Sequence, residues 1–240
     1  MTGTVGVLYA PGTNCHEETL YAVQLAGGQA ELVILKAVLE GQDSLLNYPA
    51  LIIPGGFSWG DHLGAGRIEG IILNSRLREQ LEAVAGRIPI LGICNGFQVL
   101  VETGLLPEVR PTIRQVALLQ NQSARFESRW TNLLFHNESC IWTKGLGEKI
   151  RRIPVAHGEG RLHDPNWVVT KLVCWYVDTM GQPTESYPAS PNGSSIAGIC
   201  DSTGLILGMM PHPERASEDL QGSTDGLAIF ENLIRFLRSN

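Results

Sequence analysis

The segment Pro89-Ile90-Leu91-Gly92-Ile93-Cys94-Asn95-Gly96-Phe97-Gln98 constrains the fold of this chain more than any other. It reads as a strand that runs directly into a turn and then a helix, with a cysteine at the turn. Gly-x-Cys-x-Gly is the thiol form of a nucleophile elbow, in which glycines let strand and helix approach closely across a strained turn. Such a turn lifts the sulfur above the carboxyl edge of a sheet and aims the next helix's N-terminus at it. A helix N-terminus favours a thiolate, and the amide of Asn95 can face a developing oxyanion.

The rest of the N-terminal half repeats this strand-to-helix grammar. Val5 to Tyr9 is a buried strand that ends in Ala10-Pro11-Gly12-Thr13-Asn14. Thr13 or Asn14 is placed to cap a helix from about Glu17 to Leu25, which stops at Gly27-Gly28. Further strands are expected at Ala30 to Leu35, at Ala50 to Ile53 before Pro54-Gly55-Gly56, and at Ile88 to Ile93. Helical spacing runs from Ile68 to Ala85, and again from Asn95 to Thr103, where Gly104 closes it. Strands alternating with helices imply an α/β fold: an open, mostly parallel twisted sheet with right-handed crossovers and helices on both faces.

From Ala117 the pattern changes to short strand-like runs, at Trp130 to Phe135, Ile141 to Thr143, Ile153 to Ala156 and Leu172 to Val177. These suggest antiparallel strands at one side of the sheet. Gly181 to Ser195 is a long loop, Ile196 to Cys200 and Leu205 to Met209 form a hairpin, and an amphipathic helix runs from about Gly226 to Arg238. With no linker and no repeat, one domain over residues 1–240 is the simplest reading.

Composition bounds the function. A chain with 43% hydrophobic and 18% charged residues and 27 glycines is globular with many tight turns. A net charge of −6 without a basic stripe argues against a nucleic-acid partner. No apolar run is long enough for a membrane span and Met1 to Gly6 lacks a signal-peptide pattern, so a cytoplasmic protein is expected. Five scattered cysteines without a CxxC pair suit a reducing compartment better than a disulfide framework or a zinc site. Asn137-Glu138-Ser139 and Asn192-Gly193-Ser194 match glycosylation sequons, which mean little without an export signal.

Far downstream of the elbow, Gly208-Met209-Met210-Pro211-His212-Pro213-Glu214 offers a base and a carboxylate. If that segment is extended, alternation points His212 and Glu214 to the same side. A histidine oriented by a carboxylate is what a thiol nucleophile needs. Gly55-Gly56-Phe57-Ser58, directly after a strand, suits a loop that supplies a backbone amide to an oxyanion. Ligands of open parallel sheets bind beyond the carboxyl ends of the strands, so Gly12 to Asn14, Gly55 to Ser58 and Cys94 should lie together. Gly64 to Gly70 only superficially resembles a dinucleotide loop, because no strand precedes it and its third glycine is misplaced. Cys15 lacks an elbow and reads as a packed thiol. His157-Gly158-Glu159-Gly160-Arg161 reads equally well as a surface turn or a substrate loop.

Gly92 to Gln98 together with His212-Pro213-Glu214 resembles the class I (triad) glutamine amidotransferases, over nearly the whole chain. The Gly55-Gly56-Phe57-Ser58, Ala156-His157-Gly158-Glu159-Gly160 and Pro191-Asn192-Gly193-Ser194 segments narrow the likeness to the branch serving purine biosynthesis. The resemblance implies a flavodoxin-like sheet, L-glutamine as substrate, Cys94 as nucleophile, His212 as base and Glu214 as its orienting partner. It further implies an oxyanion hole of backbone amides around Gly55, Gly56 and Asn95, with Gln98 contacting the glutamine, and no metal site. The ammonia would pass to a large ATP- and Mg²⁺-using synthetase subunit, joined through a small bridging subunit, that aminates formylglycinamide ribonucleotide. This chain itself has no Walker loop and no cofactor is expected in it. A cysteine hydrolase or thiol redox protein on a similar elbow, and a catalytically silent scaffold, are the competing classes.

Overall fold

Three strand ends meet side by side at the centre of one large sheet, and they belong to the three segments singled out above. The computed structural model describes residues 3–109, 113–136, 139–147 and 149–240. Asn137 and Glu138 of the first sequon lie outside the described residues. In chain order the strands are β1 (Val5–Tyr9), β2 (Ala30–Ile34), β3 (Leu51–Ile53), β4 (Ile90–Ile93), β5 (Ala117–Gln120), β6 (Glu127–Phe135), β7 (Arg151–His157), β8 (Glu159–His163), β9 (Lys171–Tyr176), β10 (Ile196–Cys200) and β11 (Ile206–Met209). The helices are α1 (His16–Leu25), α2 (Leu35–Leu39), α3 (Arg67–Arg76), α4 (Arg78–Val84), α5 (Asn95–Thr103) and α6 (Leu227–Ser239).

Among the described residues, nine strands form the main sheet in the order β2-β1-β3-β4-β11-β10-β9-β6-β7. The pairings from β2 through β11 are parallel, and those from β11 through β7 are antiparallel. This is the expected parallel sheet with antiparallel strands along one side. β3, β4 and β11 are buried at every position, as strands covered on both faces must be. Their register places Ile53 beside Gly92 and Met209 beside Ile93, so the three chains leave the same edge together. The step from β1 to β2 runs opposite to the step from β3 to β4. Right-handed crossovers therefore put α1 and the α3–α4 pair on opposite faces. α6 packs on α1, and α3 packs on α5. Among the described residues, no helix is long and apolar enough to cross a membrane.

Several expectations are corrected. Helical spacing over Ile68 to Ala85 is interrupted at Leu77 (φ −123°, ψ 21°), giving two helices. Neither Thr13 nor Asn14 caps α1. Cys15 is the N-cap residue and makes no side-chain cap, because the turn before it is committed to other bonds. Ala10 N donates to Thr13 Oγ1 (3.2 Å), while Asn14 N and Cys15 N both donate to Gly55 O (3.4 and 3.2 Å). Ile141 to Thr143 forms turns, not a strand. The fully buried Trp142 plugs the core there, its indole N–H donating to Leu205 O (2.8 Å). Asn232 of α6 donates to the carbonyls of Trp142 and Lys144 (3.0 Å each), which fixes the turn. β5 and β8 form a separate two-stranded sheet that the polar, glycine-rich sequence around Gly158 did not signal.

The elbow depends on two backbone segments touching. A Cβ on Gly96 would lie 1.8 Å from Ile53 O, and one on Gly92 would lie 2.5 Å from Gly96 O. Neither neighbour is a flexible side chain, so only glycine fits. Gly96→Ala is expected to lower the urea midpoint of unfolding by the equivalent of about 3 kcal/mol or more, at unchanged m-value. An unchanged midpoint would mean that α5 can slide away from β3.

α3 carries a buried carboxylate, Glu69, that is 2% exposed. Burial pushes it up from 4.5 to about 7, and the Ser58 hydroxyl only partly offsets that. A raised acid contributes stability that is complete below its unfolded pKa and is lost as pH rises through its folded one. Glu69→Gln should therefore leave the thermal midpoint unchanged near pH 4 and raise it above pH 7. The expected gain is up to about 3 kcal/mol, from 1.36 kcal/mol per unit. Equal midpoints at pH 8 would show that the carboxylate's charge costs nothing in the folded state.

Candidate active site

Cys94 sits on the turn between β4 and α5 with φ 51° and ψ −102°, a conformation that costs a non-glycine residue energy. It is held there because its N–H donates to Met209 O on the neighbouring strand (2.8 Å) while α5 is pressed against β3. The side chain is 5% exposed, and its thiol lies 3.5 Å from Ala156 O at the end of β7.

His212 arrives from the end of β11. The expectation of an extended His212-Pro213-Glu214 segment is incorrect: Pro213–Arg215 is a turn of 3₁₀ helix. That turn still brings the two side chains together, with His212 Nδ1 donating to Glu214 Oε1 at 2.6 Å. They are 2% and 0% exposed. The bond to Glu214 fixes the proton on Nδ1, so Nε2, buried and without a hydrogen-bond partner among the described residues, is the nitrogen left for chemistry. Burial opposes a charged imidazole, but the Glu214 carboxylate and the Cys94 and Cys15 thiols outweigh it and hold His212 well above its ordinary value.

Gly55 and Gly56 follow β3 and lie against this pair. A Cβ on Gly55 would be 2.7 Å from His212 Cε1 and 3.1 Å from Cys15 Sγ. Thr13 bridges Gly56, and Phe57 N donates to Gly12 O (3.0 Å), so the three predicted loops do converge. Asn95 is buried. Its Oδ1 accepts from Ser58 N (3.2 Å), and its Nδ2 reaches Gln98 Oε1 (3.0 Å) and Asp61 Oδ1 (3.4 Å). The side chain thus ties the glycine loop to α5, while the backbone N–H belongs to the first turn of that helix. Gln98 Nε2 donates to Glu159 O (2.7 Å), and the His157–Arg161 segment is the junction of β7 and β8 at Gly158, with its backbone bordering the site.

Sequence reasoning missed several members. His157 is buried beside Ala156, with Nδ1 3.0 Å from Asn121 Oδ1. Burial, and then the positive charges of His212 and Arg129, push it down to about 3, so it is neutral near pH 7. Cys15 is a packed thiol as expected, but it is packed inside the site. Cys15, His212 and Glu214 present donor atoms within 4.8 Å of one another, a spacing that could hold a metal ion. The 2.6 Å His212–Glu214 bond occupies two of those donors, and the Arg215 guanidinium at 3.1 Å from the sulfur opposes a cation. A cleft of about 510 Å³ bordered by Arg129, Trp130, Ala156 and Arg215 reaches His212 from the β6–β7 side and gives the buried imidazole a path to solvent.

Residues 3–237 match the family model of the CobB/CobQ-like glutamine amidotransferase domain. Among similar proteins, the phosphoribosylformylglycinamidine synthase subunit PurQ of Pyrococcus furiosus is 43% identical, covering 97% of this chain and 98% of the relative. The subunit of the same name from Dehalococcoides mccartyi is 41% identical, covering 97% and 96%. A structure of PurLQS from Thermotoga maritima contains a chain that superposes with a TM-score of 0.80 at 34% identity, covering 99% of this chain and all of that one. The glutaminase domain of Trypanosoma brucei CTPS with bound acivicin, at 14% identity and a TM-score of 0.60 over 98% of this chain and 94% of that one, shares the fold. An elbow thiol beside a carboxylate-oriented histidine thus stands in a chain that belongs to the CobB/CobQ-like glutamine amidotransferase family.

Proposed function

We propose that this chain is the glutaminase subunit of a phosphoribosylformylglycinamidine synthase. The observation that carries the reading is the buried His212–Glu214 pair, closed at 2.6 Å, facing the elbow thiol of Cys94. The Cys94 thiolate attacks the side-chain amide carbon of L-glutamine, and the oxyanion rests on backbone N–H groups at Asn95 and the Gly55-Gly56 loop. His212, oriented by Glu214, passes a proton to the departing ammonia. The resulting glutamyl thioester is hydrolysed by water, with the same imidazole acting as base, to release glutamate. Gln98, fixed between Asn95 and Glu159 O, lines the glutamine subsite.

The relatives' names and the PurLQS neighbour support a larger assembly. Ammonia is handed to a large synthetase subunit, with a small bridging subunit between them. ATP and Mg²⁺ act in the synthetase, on formylglycinamide ribonucleotide, in the cytoplasm. The whole of 1–240 serves as one amidotransferase domain.

A glutamine-analogue electrophile should label the chain once, at Cys94, and Cys94→Ala should abolish both labelling and glutamate release. Loss on His212→Ala should be on the order of a hundred- to ten-thousand-fold, and smaller on Glu214→Ala. A label mapped to Cys15, Cys140, Cys174 or Cys200 would overturn the assignment. A chain that takes no label at all would favour a silent scaffold.

The isolated chain should be a poor glutaminase. Gly55 O is held by the amides of Asn14 and Cys15, so turning the Gly55–Gly56 peptide exchanges two hydrogen bonds. Docking of the synthetase would settle which way its N–H points. One oxyanion donor is worth roughly a hundred- to thousand-fold in rate. Titrating the synthetase into the purified chain should raise glutamate release by that order; full activity without it would rule out such gating.

A further inference from the structure

We propose that Cys15 is a positioning residue for His212: its sulfur, wedged between the Arg215 guanidinium and the imidazole, holds the ring in register with Cys94 and screens it from the arginine's charge. The proposal rests on the glutaminase reading above.

The contacts are specific. Cys15 is 1% exposed, and its sulfur lies 3.1 Å from Arg215 Nη2 and 3.2 Å from Asn14 Oδ1. A thiol that accepts from a guanidinium and donates to an amide oxygen is held as the neutral S–H. Burial pushes this thiol up in the same sense, while the neighbouring His212 opposes. The backbone is equally committed. Cys15 N donates to Gly55 O (3.2 Å), and Cys15 O accepts from Thr19 N (3.1 Å) and Thr19 Oγ1 (2.7 Å). Arg215 is fixed from its other side by Glu18, Nε to Oε1 at 3.2 Å.

Geometry explains why the position takes a sulfur. Gly55 has no side chain, and the space beside it is shared by Cys15 Sγ and the Cε1–Nδ1 edge of His212, the atoms that a Cβ there would meet. The imidazole is thereby packed on its Cε1 edge, bonded through Nδ1 to Glu214, and left open only at Nε2. A large, polarisable sulfur fills that gap and tolerates a cation on its far side. Cys174 provides the contrast: it is fully buried, and burial alone acts on it, as expected of a plain core thiol.

Other charges around His212 do not substitute for this contact. Glu214 and Arg215 come from its own turn, Cys94 from the elbow, Cys15 and Glu18 from the start of α1, His157 from the end of β7 and Arg129 from β6. Glu18 offsets Arg215, and His157 is neutral. Without the sulfur, the imidazolium loses a favourable partner and faces the guanidinium directly. His212 should then release its proton at lower pH.

The test is the pH–rate profile of glutamate release by the complex assembled with its synthetase, for the wild type, Cys15→Ala and Cys15→Ser. Cys15→Ala should lower kcat by roughly ten- to hundred-fold, with the KM for glutamine nearly unchanged. It should also move the high-pH limb down by about one unit. Cys15→Ser, which keeps a donor and an acceptor, should recover part of both. Arg215→Met in the Cys15→Ala background should move the limb back up. A wild-type complex that releases glutamate, with both variants matching its limbs and kcat, would overturn the positioning role. So would a loss of kcat that only tracks a fall in thermal midpoint, with limbs unmoved. A wild-type complex that releases no glutamate and takes no label at Cys94 would instead overturn the glutaminase reading itself.

Discussion

The contact between Gly96 and the carbonyl of Ile53 determines where the rest of the site can be. At that distance α5 cannot begin anywhere but on the end of β3, and β4 must reverse into it within one residue. Cys94 absorbs the reversal in a left-handed conformation. What stabilises that conformation is not local. Parallel pairing of β4 with both β3 and β11 holds the strand on either side, and Cys94 N is bonded to Met209 O. The same pairing that strains the cysteine therefore delivers His212, three residues beyond Met209, to the same edge.

Burial then sets the electrostatics. A histidine and a carboxylate at 2% and 0% exposure would be unfavourable if unpaired, and a pair of this kind is stable only when each charge is met. Here Glu214 meets His212, and beyond the neutral Cys15 thiol Arg215 meets Glu18. His157 is close enough to feel His212, but it lacks an anionic partner and stays neutral. The difference between these two buried histidines is chiefly the Glu214 carboxylate, supplied by a single turn of 3₁₀ helix, with the Cys94 and Cys15 thiols adding to it.

Much of this was legible in the sequence where the cause is local. The glycines of the elbow, the helix from Asn95 to Thr103 and its closure at Gly104 are steric statements made by adjacent residues, and the structure reproduces those helix bounds. Convergence of the Gly12, Gly55 and Cys94 loops also followed, because strand ends of a parallel sheet share an edge. What failed depended on distant partners. Trp142 has the apolar flanks of a strand, yet its indole is claimed by Leu205 and its carbonyl by Asn232, so no ladder forms. His212 and Glu214 were correctly associated on an incorrect premise, since Pro213 opens a helical turn instead of continuing an extended chain. Cys15 gave no sign of its neighbours, because Arg215 lies 200 residues away in sequence.

The glycine loop after β3 links these levels. Its Gly55 carbonyl is held by the first amides of α1, its Gly55 Cα packs against His212 and Cys15, and Ser58 N is held by Asn95. Asn95 in turn bonds Gln98, and Gln98 bonds the backbone of Glu159. A rotation of the Gly55–Gly56 peptide cannot therefore be confined to that peptide. It releases the start of α1 on one side and leaves the Ser58–Asn95–Gln98–Glu159 chain to hold the other. Because glycine accepts both backbone orientations at little cost, the balance is set by those few hydrogen bonds, each worth about 1 kcal/mol net. A balance that shallow can be tipped by a partner surface that contacts the loop without touching the thiol or the imidazole.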